Sequence, residues 1–129
     1  MTCFWDGIMS SLDDIDFNLL GFYKHTSIRN FITCLKQKNC KTNNVEWNGE
    51  LLSEQLLTEN MLAVENYNID EISNGHLTSS CDYFLCLLCE ILRIKIVHVF
   101  MNTVIVYSNI KQNTKTIKFG STNSHFFQK

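Results

Sequence analysis

Residues 82–108 read DYFLCLLCEILRIKIVHVFMNTVIVYS, and the change of texture inside this stretch decides the fold. From Asp82, a capping residue, the pattern puts Phe84, Leu87, Leu88 and Ile91 on one side of a helix. Residues 93–100 (RIKIVHVF) are then β-branched and alternating, and residues 103–108 (TVIVYS) read as a strand paired with them across Met101-Asn102. Downstream, residues 116–120 (TIKFG) and 124–128 (SHFFQ) predict a third and a fourth strand. Upstream the texture is helical. Phe4, Trp5, Ile8, Met9 and Leu12 share one face of a helix starting at Cys3. Ser27 caps a second helix with Ile28, Phe31, Ile32 and Leu35 on its apolar side, and Lys36 and Lys38 suit its C-terminal dipole. Ser53 caps a third, with Leu56, Leu57, Met61 and Val64 inward. Asp13, Asp14 and Asp16 read as a solvated turn, residues 39–44 as a polar loop, and residues 69–73 as a short helix stopped at Asn74-Gly75. The expectation is an α+β fold: N-terminal helices packed on a C-terminal antiparallel β-sheet, in one domain spanning 1–129.

Composition narrows the function. Apolar residues make up 45% of the chain, which argues against disorder. A net charge of −2 implies no broad basic surface and disfavours nucleic acid as a partner. No apolar run approaches the roughly 20 residues that span a bilayer, and the N-terminus does not read as a signal peptide. The absence of proline and the many Asn, Ile and Lys residues suggest an AT-rich coding sequence, which suits some viruses, bacteria or protists.

Six cysteines occur, at positions 3, 34, 40, 81, 86 and 89. Cys86 and Cys89 form a CxxC, but it lies inside an apolar helix without turn residues or a second ligand pair, so zinc is not expected. Buried free thiols in a reducing cytoplasm are the better reading. Cys3 differs, because it opens a helix. The unpaired N–H groups and partial positive charge there stabilise a thiolate and could hold an oxyanion. Such a nucleophile needs a base, usually histidine. Of His25, His76, His98 and His125, His98 sits within an apolar strand and reads as a sheet residue. His125 begins the last strand after Gly120-Ser121-Thr122-Asn123, a position suited to face a cleft. An incidental thiol at the chain's start is the plain alternative for Cys3.

Cys3-Phe4-Trp5-Asp6-Gly7-Ile8 resembles the nucleophile motif of the ovarian-tumour (OTU) cysteine proteases, and His125-Phe126 resembles their histidine-aromatic pair. Between them, residues 75–88 resemble the family's long helix and residues 94–100 the strand that follows. The resemblance implies a papain-like fold and a thiol-dependent deubiquitinase. Cys3 would attack, His125 would act as general base, and ubiquitin or a ubiquitin-like modifier would be the acyl donor. It also implies no cofactor or metal, a monomer, and action in the cytoplasm, a host's if the protein is viral. Two features depart from the family. Only Met1 and Thr2 stand before Cys3, where the family has an oxyanion-hole loop. Phe127 stands where it often has Asn or Asp. The third catalytic residue is then Asn123, Asp6 or none. The alternatives are an inactive interaction domain of the same fold and a protease acting on a polyprotein or peptide.

Overall fold

The computed structural model describes residues 3–22, 26–71, 82–100, 102–121 and 126–128. Five α-helices and six strands occur among them: α1 Cys3–Ser11, α2 Asp14–Leu19, α3 Ile28–Gln37, β1 Val45–Trp47, β2 Glu50–Leu51, α4 Glu54–Glu65, α5 Asp82–Leu92, β3 Lys95–Phe100, β4 Thr103–Asn109, β5 Thr116–Ser121 and β6 Phe126–Gln128. A 3₁₀ turn covers Ile69–Glu71, shorter than the expected 69–73, and residues 72–74 lie outside the described residues. The α+β class holds.

The sheet order is β2-β1-β4-β3-β5-β6. β3 and β4 form the expected hairpin, with Phe100 opposite Thr103. The expected all-antiparallel sheet is corrected to a mixed one, because β5 runs parallel to β3. The connection explains the direction. β4 ends beside the start of β3, and the following loop is pinned there: Thr114 N donates to Arg93 O at 2.8 Å, and Lys95 N donates to Lys115 O at 3.0 Å. β5 must therefore start where β3 starts, on its free side, and run the same way. β6 returns antiparallel to β5, pairing Ser121 with Phe126 and Phe119 with Gln128.

Helices also do not all precede the sheet. A hairpin of β1 and β2 stands between α3 and α4 and extends the sheet past β4. Its turn is Asn48-Gly49, with φ of 53° and 87°. Positive φ at both central residues gives the twist a two-residue hairpin needs, which Asn and Gly adopt most cheaply. Asn48 also completes the edge of β4: its N–H donates to Val106 O at 2.7 Å, and its Oδ1 accepts from Val106 N at 2.8 Å.

One face of the sheet is buried. Tyr107, Ile96 and Ile117 align across β4, β3 and β5, with His98 beside Phe119 in the next row. α5 lies over β1, β3 and β4 and contributes Phe84, Leu85, Cys86, Leu87, Leu88, Cys89 and Leu92 to the core. The expected caps of α3 and α4 are present: Ser27 accepts from Asn30 N and Ser53 from Leu56 N. α5 ends at Arg93, whose φ of 55° reverses the chain into β3 while its N–H donates to Cys89 O. Among the described residues no helix is long and apolar enough to cross a membrane.

Candidate functional site

α1 carries the candidate nucleophile position. Cys3 is its first residue, as the apolar spacing of the segment implied. The helix is anchored by Trp5, which is 1% exposed. The Trp5 ring meets Phe84 of α5 edge-on at 4.7 Å between centroids, Phe31 of α3 at 6.2 Å and Tyr67 at 5.9 Å. Its Nε1 donates to the Tyr67 hydroxyl at 3.2 Å. Ile8 and Met9, one turn on, are also buried. Asp6 is exposed on the first turn of α1.

α1 packs against β6 and α3. β6 is one of the two edge strands, and Phe126, its first residue, directly follows His125 in sequence. The helix that begins at Cys3 and the strand that begins after His125 are therefore neighbours. His125 and Asn123 lie outside the described residues, as do His25 and His76. His98, read as a sheet residue, is buried in β3.

Just beyond α1, the start of α2 carries a charged cluster that the sequence reading did not anticipate. Of the three residues read as a solvated turn, Asp13 and Asp14 are exposed, but they cap and open α2, and Asp16 is buried. Asp13 is the N-cap of α2, and Asp13 and Asp16 form a reciprocal capping box: Asp13 Oδ1 accepts from Asp16 N at 3.0 Å, and Asp16 Oδ2 accepts from Asp13 N at 3.1 Å. Asp16 is 4% exposed. Burying a carboxylate requires a counter-charge, and Lys115, directly before β5, supplies it. Lys115 Nζ donates to Asp16 Oδ2, and to Asp13 Oδ2 at 3.3 Å. The bond from the Asp16 backbone N–H, with Lys115 acting in the same direction, holds the Asp13 carboxyl below the usual carboxylate range. The spacing of Asp13 and Asp16 is that of a capping box and could have announced α2. Lys115 carries no comparable local signal, because its role depends on where β5 starts.

The remaining thiols have structural settings. Cys86 and Cys89 are free and buried in α5, and burial pushes the Cys89 thiol well up. Cys34 is buried and donates to Leu20 O at 3.2 Å, and desolvation raises it too. Cys40 is free and exposed. Cys81 lies outside the described residues. Among the described residues no group of three His, Cys, Asp or Glu side chains could hold a metal ion.

No family model matches the chain, and neither a curated protein nor a solved structure matches it.

Proposed function

We propose that the protein is a papain-like cysteine protease of OTU type that hydrolyses peptide or isopeptide bonds at the C-terminus of ubiquitin or a ubiquitin-like modifier. The observation that carries the reading is the packing of α1, which starts at Cys3, against β6, which starts directly after His125. A nucleophile at a helix start and a histidine at a strand start can form a thiolate–imidazole pair only if the two elements are neighbours. The OTU-like motifs at Cys3–Ile8 and His125-Phe126 supply the substrate class.

In this mechanism His125 takes the proton of Cys3. The thiolate attacks the scissile carbonyl, and backbone N–H groups at the start of α1 hold the oxyanion. His125 returns the proton to the leaving amine. Water, deprotonated by His125, then hydrolyses the thioester and frees Cys3. Asn123 or Asp6 orients the imidazole, or the pair works without a third residue. No metal or organic cofactor takes part. The protein acts as a monomer in the cytoplasm, a host's if it is viral, where thiols such as Cys34, Cys86 and Cys89 stay reduced.

Turnover of a fluorogenic ubiquitin C-terminal amide tests this. The wild type releases the fluorophore, while Cys3→Ala and His125→Ala do not. Absence of turnover by the wild type, with the protein folded, refutes deubiquitination. Cleavage of peptides alone would replace ubiquitin with a peptide substrate.

A further inference from the structure

The sheet face turned away from α5 has an apolar centre. Register places Val97 of β3 opposite Val106 of β4, and Val99 opposite Val104. Side chains alternate between the faces of a sheet, so these four lie opposite Ile96, His98 and Tyr107, which are buried. Val104 is 54% exposed. A sheet face open to water ordinarily carries polar residues, and the positions around the valines obey that rule. On this face Glu46 of β1 pairs with Ser108, Lys95 with Thr116 of β5, and Val97 itself with Lys118. The strand preference of valine is met as well by threonine, so it does not account for two adjoining valine pairs.

We propose that this face is a self-association surface, on which two copies of the chain pack sheet to sheet about a two-fold axis. The charges select a second copy as the occupant. Glu46 flanks the valines on the β1 side, and Lys95 and Lys118 flank them toward β5. Among the described residues none of these three takes part in an ion pair. A surface acidic at one flank and basic at the other complements itself when turned through half a circle. An axis along the strands, between β3 and β4, exchanges β4 with β3 and β1 with β5. It lays Val106 over Val97 of the second copy, and Val104 over Val99 of the second copy. Glu46 then comes down beside Thr116 of the second copy, with Lys95 and Lys118 of that copy as its neighbours. The same pairing forms at the other flank. Facing sheets pack about 10 Å apart, with strands within about 30° of each other, so these side chains meet.

The size of the surface sets its strength. Four strands about 4.8 Å apart, carrying three outward rows about 7 Å apart, give a footprint of roughly 400 Å² per copy. A stable complex buries roughly 800 Å² per partner. Association is therefore weak and reversible, with a dissociation constant on the order of a hundred micromolar. At the far lower concentrations of an enzyme assay the chain is the monomer of the proposed mechanism, and the self-association does not depend on that mechanism.

Sedimentation velocity of the full chain, from about 10 μM to about 1 mM, tests this. A reductant is kept present because Cys40 is a free, exposed thiol that could cross-link copies. The variants are Val104→Glu, Glu46→Lys, Lys118→Glu and the double variant Glu46→Lys/Lys118→Glu, each checked for folding by circular dichroism. The wild type should pass from monomer to dimer across the range. Val104→Glu, which places a carboxylate in the valine patch, should remain monomeric throughout. Each single charge reversal should weaken association about fivefold or more, since it sets like charges against each other at both flanks. The double variant restores opposite charges and should associate nearly as well as the wild type. A wild type that stays monomeric to the top of the range overturns the proposal, as does a Val104→Glu chain that dimerises like the wild type. A double variant no stronger than the single reversals overturns it too, because the flanks would then not meet as the two-fold requires. Val104→Glu that lowers the melting temperature without changing sedimentation would assign the face to a segment of the same chain, and so also overturns it.

Discussion

Replacing Trp5 with alanine should cost about 4 kcal/mol of stability, in the range measured for buried Phe and Trp truncations. The size follows from what the ring does. It is 1% exposed and stands at the junction of α1, α3 and α5. Its edge-on contacts with Phe84, Phe31 and Tyr67 each add on the order of 1 kcal/mol beyond area burial. The hydrogen bond to the Tyr67 hydroxyl adds about 1 kcal/mol. Trp5→Phe isolates much of that last contribution, since it keeps an aromatic ring and loses the indole N–H. It should cost only about 1–2 kcal/mol. A chain of this size has a total stability of roughly 6–19 kcal/mol. The alanine variant would therefore melt about 15 °C lower, and α1 would lose its main anchor. Urea unfolding followed by circular dichroism measures both variants, and comparing Trp5→Phe with Tyr67→Phe in a double-mutant cycle isolates the hydrogen bond. A loss below about 1 kcal/mol for Trp5→Ala would refute the account of α1 as anchored through this ring.

Asn48→Ala should destabilise by about 1–2 kcal/mol in urea unfolding, because alanine loses the bond to Val106 N and disfavours a φ of 53°. Asn48→Gly, which keeps the backbone freedom, should cost less, and equal losses would show that the turn is not the cause. The buried thiols of Cys34 and Cys89 have folded-state pKa values raised by desolvation. Their stabilising contribution is present below the ordinary thiol pKa and is lost as pH rises through the raised folded values, since only the unfolded state releases these protons at first. Stability should accordingly decline above roughly pH 8.5, and Cys34→Ser/Cys89→Ser, compared with wild type by thermal melting, should flatten that decline. If Asn123 is the residue that orients His125, Asn123→Ala should lower kcat in steady-state kinetics with ubiquitin binding nearly unchanged, by less than Cys3→Ala does. Wild-type rates in both Asn123→Ala and Asp6→Ala would leave a Cys3–His125 dyad.

Elements whose signals are local were legible. Ser27 and Ser53 announced α3 and α4 because a capping hydroxyl acts within its own turn. The alternating β-branched residues on either side of Met101-Asn102 announced the β3–β4 hairpin. The β1–β2 hairpin was also local, since Asn48-Gly49 is a strong turn signal, but its strands have only three and two residues and offer too short a pattern to read. The direction of β5 was not local: it follows from the pinning of residues 114 and 115 to the start of β3. The burial of Asp16 was hidden for the same reason, because an acidic run looks solvated until a distant Lys115 is brought to it. At the candidate site, the helix start at Cys3 was legible from apolar spacing. That α1 would lie on β6 follows only from the tertiary arrangement.

The most direct test of the central claim is covalent capture with ubiquitin bearing a C-terminal electrophile, with the modified residue mapped by mass spectrometry. The account predicts one adduct, on Cys3, absent in Cys3→Ala and strongly slowed in His125→Ala. Failure of the folded wild type to label, or an adduct on Cys40 or another cysteine with Cys3 unmodified, would contradict it.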